Sequence, residues 1–169
     1  TEWDHLDWKD RPENALLTLR KELNLLDFKM VEDWFKENNP DVVILAAAKV
    51  GGIFANNSYT GDFILENLKI QNNIIENAWK YKVKRIILLG SSCIYPVNAI
   101  DPISEDSFMG GKLEPTNSPY AMAKLTAIEL GRSLNLQYGH KVINLMPTNL
   151  YGPNDNFDYE SSHVIPGLI

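Results

Sequence analysis

The chain has 169 residues, of which 44% are hydrophobic, and this is enough for one domain with a buried core. Its net charge of -6, from 16 basic and 22 acidic residues, excludes a broad basic surface for a nucleic-acid backbone or an anionic membrane. The single cysteine excludes an intramolecular disulfide, and no apolar run reaches transmembrane length. We therefore expect a cytoplasmic protein without a nucleic-acid or membrane partner, and we predict no metal site.

Predicted strands and helices alternate through the first half of the chain. Residues 1–14 are charged and have no helix or strand period, so we predict an irregular segment. The apolar run at 15–20 predicts a buried strand, and Asp27 can cap a helix whose apolar residues recur every 3.6 positions. The β-branched run at 41–48 lacks alternation, which predicts a central parallel strand covered on both faces, followed by a loop.

The second half continues this order. Apolar spacing predicts a helix over 62–81, a strand over 83–92 and, after a polar loop, a helix over 119–138. One more strand is predicted in "KVINLMPTNLYGP". Strands that alternate with long helices predict an α/β fold with a doubly wound parallel sheet of the Rossmann type, over residues 15–169. In such a sheet ligands bind beyond the carboxyl ends of the strands.

Polar side chains cluster where the 83–92 strand ends and the next helix begins. Ser91 and Cys93 face the same way if the extended backbone continues through them. Tyr120 and Lys124 lie one helical turn apart, so the phenol and the ammonium project from one face. Taken alone, this pair also fits a solvated helix face, and Cys93 also fits a small packed residue.

Four segments in the same order resemble a known family: "AAAKVGGIFANN", "GSSCIYP", "EPTNSPYAMAK" and "MPTNLYGPNDNF". Together they resemble the GDP-L-fucose synthases, members of the extended short-chain dehydrogenase/reductase superfamily. The resemblance runs from about Ala15 to Ile169. It implies an NADPH-dependent enzyme that epimerises C3 and C5 of GDP-4-keto-6-deoxy-D-mannose and reduces the C4 ketone.

The resemblance implies two sets of catalytic residues. Ser91, Tyr120 and Lys124 form the expected reductase triad, in which Ser91 hydrogen-bonds the C4 oxygen, Tyr120 donates the proton and Lys124 lowers the phenol pKa. Cys93 and His163 form the expected acid/base pair for epimerisation, because the hydrogens on C3 and C5 flank the ketone. A thiol and an imidazole suit this exchange, since their ordinary pKa values are about 8.5 and about 6.5.

The resemblance also implies contacts to NADP(H) and to the sugar. Arg20 would accommodate the 2'-phosphate, although by itself it fits an ordinary surface arginine. Besides Tyr120 and Lys124, the expected cofactor contacts are Asn24, Leu25, Ala46, Ala47, Ala48, Pro147, Thr148, Asn149 and Leu150. The expected contacts to the GDP-sugar are Val50, Gly51, Gly52, Ser91, Ser92, Cys93, Asn149 and His163. The two glycines and Asn149 fit simple turns equally well.

The family's Gly-rich turn and C-terminal substrate domain are missing from this sequence, so we expect an incomplete Rossmann-type domain. We expect a homodimer through helices 62–81 and 119–138. One alternative is another nucleotide-sugar epimerase or dehydratase of the superfamily, which would not need Cys93 and His163 together. The other is a truncated, non-catalytic dimerising subunit, which the missing Gly-rich turn favours.

Overall fold

A computed structural model describes residues 22–153, 155–158, 162 and 164–168. The helices and strands are α1 Phe28–Asn38, β1 Val42–Leu45, α2 Ile53–Ser58, α3 Thr60–Lys80, β2 Arg85–Leu89, α4 Ser118–Tyr138, β3 Val142–Leu145 and α5 Val164–Gly167. The predicted irregular segment 1–14 and the predicted strand 15–20 lie outside the described residues. No helix in the described ranges combines the length and the apolar character that a membrane span requires.

The strands form one parallel sheet in the order β1-β2-β3. In its register Leu45 lies beside Leu88, and Leu89 lies beside Leu145. The carboxyl ends of all three strands therefore meet at one edge of the sheet. Because α3 joins β1 to β2 and α4 joins β2 to β3, the predicted parallel α/β arrangement is confirmed for these elements.

The core lies between the sheet and a layer made of α1, α3 and α4. Asp27 begins α1 as predicted, because its carboxylate accepts a hydrogen bond from the Met30 N–H at 3.1 Å. Gly131 allows α4 to approach β3 closely, since a Cβ at this position would lie 2.7 Å from Val142 Cγ1. The buried side chains between the two layers include Val31, Phe35, Leu45, Ile74, Ile75, Ala78, Ile86, Leu88 and Ala127.

Only one face of β1 is covered in the part of the chain that the structure describes. Leu45 is buried, but Ile44 is 65% exposed and Val42 is 49% exposed. Among the described strands β1 lies at the edge of the sheet, and the predicted neighbouring strand 15–20 lies outside the described residues, so the prediction of a central strand covered on both faces stays a prediction. The covering of this one face has a topological cause, because crossovers of one hand between successive neighbouring strands return their helices on the same side.

The predicted strands β1 and β2 exist, but they end earlier than the sequence predicts. The strand β1 ends at Leu45 rather than at Ala48, and β2 ends at Leu89 rather than at Ser92. The segment predicted as a loop after β1 contains the short helix α2. Asn56 in that helix donates to the carbonyl oxygen of Gly51 at 2.6 Å, which ties the helix to the preceding turn.

Candidate active site

The loops after β2 and β3 run against each other at the carboxyl edge of the sheet. The Gly90 N–H donates to the carbonyl oxygen of Leu145 at 2.8 Å. A Cβ on Gly90 would meet the Met146 side chain and would lie 3.1 Å from that oxygen, so the close approach requires glycine. Gly90 also lines a small cavity together with Ala47 and Lys124. The ends of β1 and β2 and the helix α4 thus share one pocket.

Ser91 and Cys93 lie in a tight turn after β2. Ser91 is extended, but a 3₁₀ turn follows over Ser92–Ile94. The Ser91 Oγ accepts from the Cys93 N–H at 3.4 Å, and the Ser91 carbonyl oxygen accepts from the Ile94 N–H at 3.3 Å. The prediction of continuing extended backbone is therefore wrong, because these local hydrogen bonds replace a strand conformation. The two residues nevertheless stay together, since the Ser91 side chain is held against the backbone of Cys93.

Glu114 organises the turn that begins α4, and sequence analysis did not identify it. Its carboxylate accepts from the Thr116 N–H at 3.1 Å, the Thr116 hydroxyl at 2.6 Å and the Asn117 N–H at 2.9 Å. The hydrogen bonds from Thr116 are the main reason why the pKa of Glu114 is lowered. Asn117 makes no side-chain cap bond of its own, so Glu114 takes over this role just before Tyr120. An acidic residue shortly before a predicted helix start was the available signal.

Tyr120 and Lys124 reach the end of β2 from the first turns of α4. The Lys124 Nζ donates to the carbonyl oxygen of Leu89 at 2.7 Å. The same atom lies 5.5 Å from the centre of the Tyr120 ring. The expected placement of the phenol and the ammonium on one helix face is therefore confirmed, and both lie beside the turn that holds Ser91 and Cys93.

Burial controls the ionisation of these groups. It raises the pKa of Tyr120 to about 12, and negative charge on Cys93 adds to the rise. Burial of the phenol is the main cause of this rise, and the expected lowering of the pKa by Lys124 stays a prediction. The phenol therefore keeps its proton at neutral pH, as a proton donor must.

The thiol and the ammonium influence each other across the same site. Burial raises the pKa of Cys93, whereas the hydrogen bond from Ser91 and the positive charge of Lys124 lower it. Burial lowers the pKa of Lys124, and negative charge on Cys93 opposes this shift. The helix α4 packs against the turn Ser92–Ile94, so the structure brings Cys93 and Ser91 close to Tyr120 and Lys124.

The loop after β1 presents the alanines that were predicted to line the cofactor. Ala46 and Ala47 are exposed and Ala48 is half-buried. Next to them, the backbone of Lys49 is held by Asn67 of α3 through hydrogen bonds of 2.8 and 3.0 Å. The predicted cofactor loop therefore lies at the carboxyl edge of the sheet on a fixed support.

The predicted sugar loop contains closely packed glycines. A Cβ on Gly51 would lie 3.0 Å from Ala55 Cβ and 3.1 Å from the Phe63 ring. Gly52 precedes α2 as its N-cap residue. Val50 between the alanines and these glycines is 62% exposed. Packing and capping thus account for both glycines, while Val50 remains available for contact with a ligand.

The other predicted site residues are distributed along the chain. The Asn24 side chain accepts from the Leu26 N–H at 3.1 Å, and the Leu25 carbonyl oxygen accepts from Asn73 of α3 at 2.8 Å. Ser92 is exposed and begins the 3₁₀ turn that follows Ser91. The residues after β3 follow directly at the carboxyl edge, with Pro147 half-buried and the next three exposed, namely Thr148, Asn149 and Leu150. Arg20 and His163 lie outside the described residues.

Comparison with known proteins gives consistent similarities. The model of the NAD dependent epimerase/dehydratase family matches residues 3–169. The GDP-L-fucose synthase of Escherichia coli (strain K12) is 53% identical over 91% of this chain and 48% of its own length. This chain spans about half the length of the curated relatives it matches.

Solved structures of GDP-sugar enzymes are also similar to this chain. The GDP-mannoheptose C4 reductase MlghC from Campylobacter jejuni, with NADP bound, is 40% identical with a TM-score of 0.84, over 90% of this chain and 45% of that chain. A GDP-L-fucose synthetase from Naegleria fowleri, bound to NADP, is 34% identical with a TM-score of 0.81, over 90% of this chain and 50% of that chain.

Proposed function

The chain belongs to the NAD dependent epimerase/dehydratase family and has its Rossmann-type fold, and we propose that it carries the reaction centre of a GDP-L-fucose synthase. Such an enzyme epimerises C3 and C5 of GDP-4-keto-6-deoxy-D-mannose and then reduces the C4 ketone with NADPH. The observation that carries the proposal is a thiol, Cys93, two residues after Ser91 in the turn that packs against α4, the helix of Tyr120 and Lys124. A simple reductase has no use for that thiol.

The residues at the carboxyl edge fit a dinucleotide. Ala46 and Ala47 offer an exposed small-residue surface, and Gly90 leaves backbone accessible in the cavity that Lys124 also lines. We propose that these residues, with Thr148 and its neighbours after β3, hold NADP(H), and that Lys124 also contacts the nicotinamide ribose. When bound, NADPH supplies the hydride for C4. For the adenosine end we propose Asn24, Leu25 and Arg20, the last through the 2'-phosphate.

Reduction of the ketone needs a proton on oxygen, and we propose that Tyr120 provides it. Because burial raises its pKa to about 12, the phenol is protonated across the neutral range. Ser91 would hydrogen-bond the C4 oxygen and stabilise the charge that develops there. The Lys124 ammonium, anchored on the carbonyl oxygen of Leu89, adds positive charge beside the ring.

Epimerisation needs one group to take a proton from carbon and another to return it on the opposite face. We propose Cys93 and His163 as this pair, with the sugar held by Asn149 and the loop from Val50 to Gly52. The protons on C3 and C5 are acidic because each neighbours the ketone, and loss of either gives an enolate. Burial raises the pKa of Cys93, so the thiol carries a proton to return, while Ser91 and Lys124 partly offset the rise and favour the thiolate that must form when a proton is given up.

We also propose a cytoplasmic homodimer. Apolar side chains on the outer faces of α3 and α4 support it, because Leu65 is 52%, Met122 45% and Leu136 75% exposed. A second copy of these helices would cover them in a four-helix arrangement.

A second candidate is a C4 reductase of another GDP-sugar that performs no epimerisation. The similarity to the Campylobacter jejuni reductase favours it. Solvent deuterium exchange separates the two, because only an epimerase incorporates deuterium at C3 and C5 of the keto sugar.

The test combines this exchange with NADPH oxidation. Tyr120→Phe is expected to abolish reduction and to preserve exchange, whereas Cys93→Ser is expected to slow exchange strongly and to preserve NADPH binding. Tyr138→Phe is the matched control, since it removes an exposed tyrosine at the far end of the same helix. Absence of NADPH binding would reject the enzyme proposal in favour of a non-catalytic subunit. Loss of both activities in Tyr120→Phe would contradict the separate roles.

A further inference from the structure

Asn67 of α3 is a buried amide that contacts the loop after β1 from below. It is only 3% exposed. Its Oδ1 accepts from the Lys49 N–H at 2.8 Å, and its Nδ2 donates to the carbonyl oxygens of Lys49 at 3.0 Å and of Phe63 at 2.8 Å. One side chain thus satisfies both backbone groups of Lys49 and fixes the orientation of the peptides on either side.

The Lys49 side chain also contacts α3, but this ion pairing stabilises the loop less than the hydrogen bonds of Asn67 do. Its Nζ lies 2.6 Å from a Glu66 oxygen and 3.9 Å from an Asp62 oxygen. The Lys49 side chain is 29% exposed and that of Glu66 is 28% exposed. Ion pairs with this access to water contribute little, whereas leaving a buried amide unpaired is costly. The backbone hydrogen bonds of Asn67 therefore dominate the anchoring of the loop.

One helical turn beyond Asn67, a second buried amide of α3 contacts α4, the helix that carries Tyr120 and Lys124. Gln71 is 4% exposed and donates to the carbonyl oxygen of Ala123 at 2.6 Å, directly before Lys124. Both amides line the same small cavity as Ala47 and Lys124. Since α3 is continuous between these two positions, it sets the distance between the loop after β1 and the helix that carries the reductase pair.

We propose that Asn67 is a positioning residue. Through its two hydrogen bonds to the backbone of Lys49, it fixes the position of the loop from Ala46 to Lys49 relative to α4. The inference rests on the proposed function, in which this loop lines NADP(H). In this role Asn67 acts through the backbone of Lys49. Its effect is to preorganise the loop, so that binding does not have to order it.

The test compares Asn67→Ala with Asn77→Ala. Asn77 lies on the same helix and is fully buried, but its side chain donates to the Asn73 carbonyl oxygen within the helix. In Asn67→Ala, hydrogen exchange at the Lys49 amide is expected to be at least about tenfold faster, and NADPH binding about tenfold weaker. Asn77→Ala is expected to change neither by more than about twofold, at temperatures where circular dichroism shows both variants folded.

Asn67→Asp separates the two hydrogen bonds of the anchor. It keeps the acceptor for the Lys49 N–H and loses the donor to the carbonyl oxygen, so the amide is expected to stay protected while NADPH binding weakens. Unchanged exchange in Asn67→Ala, or an equal change in Asn77→Ala, overturns the proposal. If the unaltered protein does not bind NADPH, the proposed function fails and the positioning role with it. Faster exchange at Lys49 would then still identify Asn67 as a structural anchor only.

Discussion

The phenol of Tyr120 is expected to hold its proton about two pH units longer than an ordinary tyrosine. Burial raises its pKa from 10.0 to about 12, with help from negative charge on Cys93. At pH 11 an unshifted tyrosine is about 90% ionised, whereas Tyr120 is about 10% ionised. Replacing Tyr120 by phenylalanine should therefore remove almost no tyrosinate absorbance at this pH.

The assay measures tyrosinate absorbance immediately after a stopped-flow jump to pH 11, while far-ultraviolet circular dichroism still reports folded protein. The chain has 7 tyrosines, and Tyr138→Phe calibrates the absorbance lost with an exposed one. Tyr120→Phe should give nearly the same tyrosinate signal as the parent. A loss of one full tyrosinate signal by pH 11 would refute the argument that burial dominates at Tyr120.

The same shift has a consequence for stability. The folded pKa lies above the unfolded one, so the contribution of Tyr120 is complete below about pH 10 and is lost as the pH rises toward about 12. By pH 11 the parent should lose about 1.4 kcal/mol more of its free energy of unfolding than Tyr120→Phe does. Urea titrations of both proteins at pH 8 and pH 11 measure this difference, and parallel pH profiles would contradict it.

Three further predictions concern the groups around this site and the core beneath it. The pH profile for alkylation of the single cysteine should have its midpoint above that of a free thiol, because burial raises the pKa of Cys93. In Lys124→Met the midpoint should rise further, and an unchanged midpoint would remove Lys124 as an influence. Gly131→Ala should lower the free energy of unfolding by about 1–3 kcal/mol through the clash with Val142, whereas Gly61→Ala, with open space around it, should not.

Sequence patterns predicted α1, α3 and α4 well because these helices are long enough to show a helical period. The capping role of Asp27 and the extents of α3 and α4 followed from local spacing alone. The 3₁₀ turn at Ser92–Ile94 could not be predicted in this way. There the Cys93 N–H donates a hydrogen bond to the Ser91 side chain, and the strand conformation does not continue. The helix α2 was also missed, since it is short and starts after Gly52 without a side-chain cap.

Sequence patterns could not predict the burial of Tyr120 or the contact between Asn67 and Lys49, because both depend on tertiary packing. The one-turn spacing of Tyr120 and Lys124 was visible, but the direction of the phenol pKa shift depends on how deeply α4 is buried. Asn67 looked like one polar position in a helix, and its partner Lys49 is 18 residues away. Contacts of this kind form only when the sheet and helix layers are packed, so no local period encodes them.

The two proposed half-reactions share one electrostatic environment, and this limits which substitutions can separate them. The charge of Lys124 favours the thiolate of Cys93, and the same ammonium lies beside the ring of Tyr120. Removing Lys124 should therefore impair both exchange at C3 and C5 and reduction at C4. In the proposed reaction Tyr120 and Cys93 act on different atoms of the substrate, so their variants are expected to lose one activity and keep the other. Cys93 also influences Tyr120, because negative charge on the thiolate raises the pKa of the phenol, so a change at either residue alters the electrostatic environment of the other.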